Sequence, residues 1–221
     1  MIPIIPRFEL AVPELILAGM AMTMMMVGAF RRDNATRACA WLGMAGRLLA
    51  LLALIAWTPQ RAVTFHGQFI ADYFALFMKV LVLIGSALTL IMSLDYIERE
   101  RMARFEYPVL VVFATLGMLM MISANDLISL YIGLELQSLA LYVMASFDRD
   151  SARSSEAGLK YFILGALASG MLLYGASLTY GFTGHTSFAG IAAALSGGGA
   201  SLGLIFGLVF LLVGLAFKIS A

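Results

Sequence analysis

Charge is what this sequence has least of. Only 12% of its 221 residues are charged and 62% are hydrophobic, whereas a water-soluble domain carries about 25% charged residues. So few charges cannot cover a water-facing surface of this size. A single cysteine, Cys39, excludes an internal disulfide. The two histidines, His66 and His185, fall in predicted loops without metal-ligand spacing around either, and they read as solvated loop residues. There is no GxxxxGK(S/T) phosphate loop, no GxGxxG after a strand, no CxxC and no histidine pair suited to haem. The expectation is a chain that binds no metal and no redox cofactor of its own. A net charge of +1 is uninformative about nucleic acid, and none is expected as a partner.

What is present is apolar residues gathered into long runs. About 20 apolar residues cross the hydrocarbon core of a bilayer at ~1.5 Å per residue. Seven such runs occur, at 10–30, 38–58, 71–94, 107–124, 126–147, 159–181 and 201–221. Lipid offers no partner for the unpaired backbone of an open strand, and no stretches of about ten residues with alternating polarity mark a barrel. The fold class expected is therefore an all-α polytopic membrane protein with seven transmembrane helices. The first run is too long for a signal segment, and Glu9 and Glu14 stand where a basic n-region belongs. It reads as a retained helix.

The basic residues set the orientation. Arg31, Arg32 and Arg37 lie between runs 1 and 2. Arg99, Arg101 and Arg104 lie between runs 3 and 4, and Arg149, Arg153 and Lys160 between runs 5 and 6. The opposite loops hold only Arg7 and Arg61, and Arg47, Lys79 and Lys218 are inside runs. By the positive-inside rule the basic loops face the cytoplasm and the N-terminus faces out. The longest loop, 182–200, predicts a short helix capped by Ser187, running through Ala194 and ended by Gly197–Gly199. In run 6 the stretch GALASG places Gly165 and Ser169, and likewise Ala166 and Gly170, four apart. That spacing lets helices pack closely, and packing is all it implies.

A charged side chain at the bilayer centre costs roughly 2.5–3.5 kcal/mol on insertion scales, so each one calls for a reason. Glu135 is nine residues beyond Asp126, where run 5 begins, and thus roughly 14 Å deep. Tyr131, Ser138 and Tyr142 stand at i−4, i+3 and i+7 from it, a narrow polar stripe on an otherwise apolar helix. Burial and neighbouring charge decide whether such a carboxylate holds a proton. Intramembrane acids often mark ion pathways, and function is favoured here over a static structural carboxylate. Lys218 follows the apolar stretch 202–217. Taken alone it fits a buried, charge-switching lysine and a lysine snorkelling at a helix end equally well. The 16 residues before it make ~24 Å of helix, short of a span of about 30 Å, so the helix is expected to continue beyond. Lys79, eight residues into run 3, is expected to snorkel outward. Arg47 is too deep to snorkel easily and is expected to face a partner helix or a lipid headgroup, without a catalytic role. Asp72, Asp95 and Asp126 read as interface residues at run ends.

The stretches ANDLISLYIGLELQSLALYVMASF (124–147) and SSEAGLKYFILGALASGMLLYGASLTYGFTG (154–184), with the ending GLAFKISA (214–221), closely resemble the subunit N family of bacterial NADH–quinone oxidoreductase, respiratory complex I. The resemblance covers most of the chain and is strongest from about residue 107. It implies a 14-helix antiporter-like bundle of two inverted five-helix repeats, each with a broken helix. On that plan residues 1–105 hold three N-terminal helices, and 106–221 hold helices 4–7 of an incomplete first repeat. The resemblance also implies that Glu135, on helix 5, and Lys218, on broken helix 7, form a charge pair that moves protons, with Tyr131, Ser138 and Tyr142 as candidate support. NADH, FMN, iron–sulfur clusters and quinone are then expected in partner subunits. The chain itself would be a multi-pass piece of the bacterial inner membrane, held by lipid and other membrane subunits and not a stand-alone homo-oligomer.

Three rivals stand beside this reading. A subunit of a multi-chain cation/proton antiporter or of a membrane-bound hydrogenase uses the same helix plan. A retinal protein also has seven spans, an outside N-terminus and a lysine on helix 7. Against it, that lysine should lie mid-helix, run 3 lacks a mid-membrane carboxylate, and Trp41 and Trp57 both fall on run 2. A structural fragment that conducts nothing is the third.

Overall fold

The structure, a computed structural model, describes residues 6–31, 35–56, 61–197 and 201–219. Helices dominate it: α1 (Val12–Phe30), α2 (Ala35–Ala56), α3 (Tyr73–Arg99), α4 (Glu106–Ile122), α5 (Leu127–Ala145), α6 (Ala152–Thr183), α7 (Phe188–Gly197) and α8 (Leu202–Lys218). A 3-10 turn, Phe8–Ala11, leads into α1. Among the described residues five helical stretches are long and apolar enough to cross a membrane: Phe8–Phe30, Ala35–Ala56, Tyr73–Arg99, Leu127–Ala145 and Ala152–Thr183. The apolar helices α4 and α8 are shorter, 17 residues each. Large apolar side chains such as Trp41, Leu52, Phe77, Met92 and Leu167 point outward, the expected surface for contact with lipid tails.

Helices α3 and α6 overrun their apolar runs at polar ends. Helix α6 starts at Ala152, where Ser151 caps the Ser154 amide at 3.4 Å. Its first turns hold an exposed Lys160–Glu156 pair, 2.5 Å apart at i,i+4. Hydropathy sees only the lipid-facing part of a helix, while backbone hydrogen bonding continues into the polar margin. Lys160, Arg153, Arg99 and Arg37 accordingly sit on helix ends and not in loops. Arg37 meets Glu98 of α3 with two bonds of 2.7 Å. Arg32, Trp57 and residues 220–221 lie outside the described residues.

A two-stranded antiparallel hairpin joins α2 to α3, which the all-helical expectation did not contain. Strands β1 (Ala62–Thr64) and β2 (Phe69–Ala71) pair Ala62 with Ala71, Val63 with Ile70 and Thr64 with Phe69. The tight turn between them takes positive φ at Phe65, His66 and Gly67. The hairpin escapes the ban on lipid-exposed strands because it sits at the helix ends and its backbone is bonded elsewhere. Ile70 N–H donates to Ser123 O and Asn125 N–H to Gln68 O, each at 2.9 Å, and Asn125 Nδ2 donates to Gly67 O at 2.7 Å. Leu127 N–H donates to Thr186 O at 3.0 Å. The hairpin, the α4–α5 turn and the α6–α7 loop are thereby bonded into one plate. The short helix anticipated in the loop is α7. Ser187 Oγ accepts from Gly190 N–H at 3.2 Å, and the helix runs to Gly197; Gly198 and Gly199 lie outside the described residues.

Two apolar clusters hold the helices. Leu17, Met24, Cys39, Leu83, Val112 and Leu119 join α1–α4, and Leu127, Leu134, Leu172, Ile191 and Leu211 join α5–α8. Helices α4 and α5 bridge the clusters through Gly117 and Gly133. A Cβ on Gly117 would lie 2.6 Å from the Gln137 amide nitrogen, and one on Gly133 2.7 Å from that of Met121. Backbones this close need glycine at both positions. The same device joins α6 to α8, where a Cβ on Gly175 would stand 2.7 Å from the Leu211 nitrogen.

Candidate functional site

Asp126 caps α5, accepting from Ser129 N–H through Oδ1 at 2.7 Å. With the start of the helix so fixed, Glu135, Ser138 and Tyr142 share one face at i, i+3 and i+7. Helix α8, packed along α6, delivers Lys218 to that face from its last turn, where the helix dipole favours a cation. The Lys218 Nζ lies 2.7 Å from Ser138 Oγ, 3.0 Å from the Tyr142 hydroxyl and 3.3 Å from Glu135 Oε1. All three protons of the ammonium therefore have an acceptor. Ser138 donates its own proton to Leu134 O at 2.8 Å, which leaves its lone pairs to the lysine. The side chains keep some exposure, 13% for Lys218 and 20% for Glu135.

Of the sequence-predicted residues, the structure brings Glu135, Ser138, Tyr142 and Lys218 together. Tyr131 stands apart. Its hydroxyl shares a 3.0 Å hydrogen bond with Ser169 of α6, one turn from the cluster, and ties α5 to α6. The small-residue pattern in α6 resolves into two faces. Gly165 and Ser169 are buried, while Ala166 and Gly170 are exposed. Gly165 does more than let helices approach. A Cβ there would overlap the Tyr142 hydroxyl, so the glycine makes room for an acceptor of Lys218. The Tyr142 ring is held edge-on by Tyr161 and Phe162, at 4.7 and 5.8 Å between centroids.

A second buried charge pair was not foreseen. Lys79 does not snorkel. It is buried, and its Nζ lies 2.6 Å from Glu14 Oε1 of α1. The reason is geometric: α1 and α3 run in the same direction, so a base early in α3 lies level with an acid early in α1. Opposite charges at matching depth in alternate runs were the signal available. Arg47 does face a partner helix, as one of its two expected alternatives had it. It is buried between α2 and α3, with Nε donating to Ser86 Oγ at 2.6 Å and Nη1 to Gly43 O at 2.9 Å. Asp126 stands at the end of a span, as expected, and is a buried cap. Asp72 caps α3 through Ala75 N–H at 2.7 Å, and Asp95 is exposed. His66 and His185 are exposed loop residues, as expected. Among the described residues no three His, Cys, Asp or Glu side chains group as metal ligands.

The family model described as NADH:quinone oxidoreductase/Mrp antiporter, transmembrane, matches residues 124–221. NADH-quinone oxidoreductase subunit N 1 of Rhizobium meliloti (strain 1021) is 58% identical over 218 residues, covering 99% of this chain and 45% of that protein. A chain in the structure of respiratory complex I from Thermus thermophilus with bound aureothin superposes with a TM-score of 0.73 at 31% identity, over 93% of this chain and 43% of that one. A chain of the Mrp complex from Dietzia sp. DQ12-45-1b shares the fold, with a TM-score of 0.72 at 23% identity over 96% of this chain and 41% of that one. This chain spans just under half the length of the curated relatives it matches.

Proposed function

We propose that this chain belongs to the subunit N family of NADH-quinone oxidoreductase and serves as a proton-translocating membrane subunit of that complex. Protons move through the Glu135–Lys218 pair, and quinone reduction in other subunits drives them. The observation that carries this reading is the Lys218 ammonium, shared at 2.7–3.3 Å by two hydroxyls and one carboxylate between apolar helices. With Glu135 ionised, its charge holds the proton on Lys218. A proton arriving on Glu135 removes that countercharge, and Lys218 is left with the neutral acceptors Ser138 and Tyr142. Lys218 then gives up its proton more readily, and Glu135 regains its charge when its own proton leaves. Moving each charge against the membrane potential costs about 2.3 kcal/mol per 100 mV, so the cycle needs energy from outside this chain.

The topology that goes with this function is seven spans, with α4 and α8 crossing despite their length, and the N-terminus outside. The clustering of Arg31, Arg37, Arg99, Arg101, Arg104, Arg149 and Arg153 at alternate connections and the helix ends that flank them supports that orientation. Residues 1–105 then form an N-terminal unit and 106–221 the beginning of an antiporter-like repeat, in the bacterial inner membrane. NADH, FMN, iron–sulfur clusters and quinone belong to partner subunits. A second reading, a subunit of a cation/proton antiporter, draws support from the matching family model, whose description covers both, and from the likeness to the Mrp chain. Neighbouring genes separate the two.

The test uses the complete complex reconstituted in vesicles. Lys218→Met is expected to reduce proton pumping strongly. Pumping at the unaltered level would remove the pair from the proton path.

A further inference from the structure

The Glu14–Lys79 pair is built differently from the one above. The ammonium stands 2.6 Å from Glu14 Oε1 but off the line of a hydrogen bond, and neither carboxylate oxygen has a hydrogen-bond partner among the described residues. Buried oxygens of that kind are satisfied by water or by a proton of their own. Lys79 also lines a cavity of about 190 Å³ that opens among α1, α2, α3 and the hairpin. A water needs about 10–15 Å³ of such space and two to four polar partners, so this cavity has room for several, with polar partners at its charged groups. Its charged lining groups are Glu9 from the turn before α1, and Asp72 and Lys79 from α3. Helix α2 contributes Ala53 and Leu54, the hairpin contributes Ala71, and neither adds a charge. The Phe69 ring lies 4.9 Å from Lys79 Nζ. Lys79 is six residues into α3, about 9 Å from its start, within reach of water entering at the hairpin end.

We propose that Glu14 and Lys79 form a second proton-exchange site, supplied with water through this cavity from the hairpin end of the bundle. The Lys79 ammonium passes a proton to the Glu14 carboxylate, 2.6 Å away, and takes one from hydronium in the cavity, which becomes water, so that Glu14 becomes a neutral acid beside Lys79. The reverse step returns the proton to the same water. Glu9 and Asp72, acidic groups along the cavity, concentrate cations there. The exchange needs no other reactant. Its place in a pumping cycle rests on the translocation reading above; the exchange itself does not.

The experiment is infrared difference spectroscopy of the assembled complex through a pH change, in H2O and in D2O. The wild-type protein is expected to show a protonated-carboxyl band that shifts in D2O and is lost in Glu14→Gln. Glu14→Gln strands a buried ammonium, so Glu14→Gln combined with Lys79→Met is made beside it, and this pair should lack the same band. Ala53→Phe fills the cavity while leaving both charges, and should slow deuterium exchange at that band. A carboxyl spectrum identical in wild type and Glu14 variants overturns the proposal and leaves a static ion pair. Should neither charge variant assemble, Ala53→Phe decides, and exchange at the wild-type rate overturns the proposal. Unaltered pumping in Lys218→Met would sink the translocation reading and leave the spectroscopic result intact.

Discussion

Among the described residues two carboxylate–lysine pairs lie between helices inside the bundle, and they differ in spacing, exposure and the partners of the ammonium. Glu14 and Lys79 are 2.6 Å apart, with side chains 7% and 3% exposed, and no hydroxyl among the described residues shares the ammonium. Glu135 and Lys218 are 3.3 Å apart, 20% and 13% exposed, with Ser138 and Tyr142 nearer to the ammonium than the carboxylate is. The first pair depends on one close Coulombic contact. In the second, Lys218 can lose the Glu135 charge and still have two acceptors. A buried pair with no alternative partner is strongly destabilised when one member is removed, whereas a shared charge tolerates rearrangement. If both pairs exchange protons as proposed, they do so by different means: Lys218 among neutral acceptors, Lys79 beside a cavity.

Variants can break or sharpen that comparison. The largest expected effect on stability is at the tight pair. Lys79→Met leaves Glu14 as a buried carboxylate without a counter-ion and should cost ~3–5 kcal/mol, read as loss of assembled complex on native gels. Removing Lys218 should cost less, about 1.5–3 kcal/mol for a charged hydrogen-bond group, because Glu135 is partly solvated. Equal losses for the two variants would erase the distinction. Next comes Gly165→Ala, whose new Cβ overlaps the Tyr142 hydroxyl. It should cost roughly 1–3 kcal/mol and lower pumping, although Gly165 touches neither charge. Pumping unaffected by Gly165→Ala would mean that Tyr142 is not needed on the lysine. The smallest effect is expected at Tyr131→Phe. Losing one hydrogen bond to Ser169 should cost about 0.5–1.5 kcal/mol and leave pumping unchanged, and a large loss of pumping there would place Tyr131 on the path after all.

The site was more legible in the sequence than the bundle around it. Glu135, Ser138 and Tyr142 lie on one helix, so their shared face follows from the 3.6-residue period alone. That Lys218 joins them depends on how α8 packs on α6 and α5, which no local spacing encodes; the family resemblance supplied it. Tyr131 keeps to the same stripe yet bonds to Ser169, because a side chain one turn along meets a different neighbour. Lys79 was misread for a similar reason. Snorkelling is judged along a residue's own helix, and its partner, Glu14, is on another. The hairpin was missed because three-residue strands give too short a pattern to register among apolar runs. Helix α7, by contrast, announces itself through a capping serine.

The most direct measurement is proton pumping by the complete complex carrying Glu135→Gln, which keeps the shape of the side chain and removes its charge. The account predicts that pumping falls, since Lys218 then has no countercharge to gain or lose. Pumping equal to wild type in an assembled, quinone-reducing complex would contradict it.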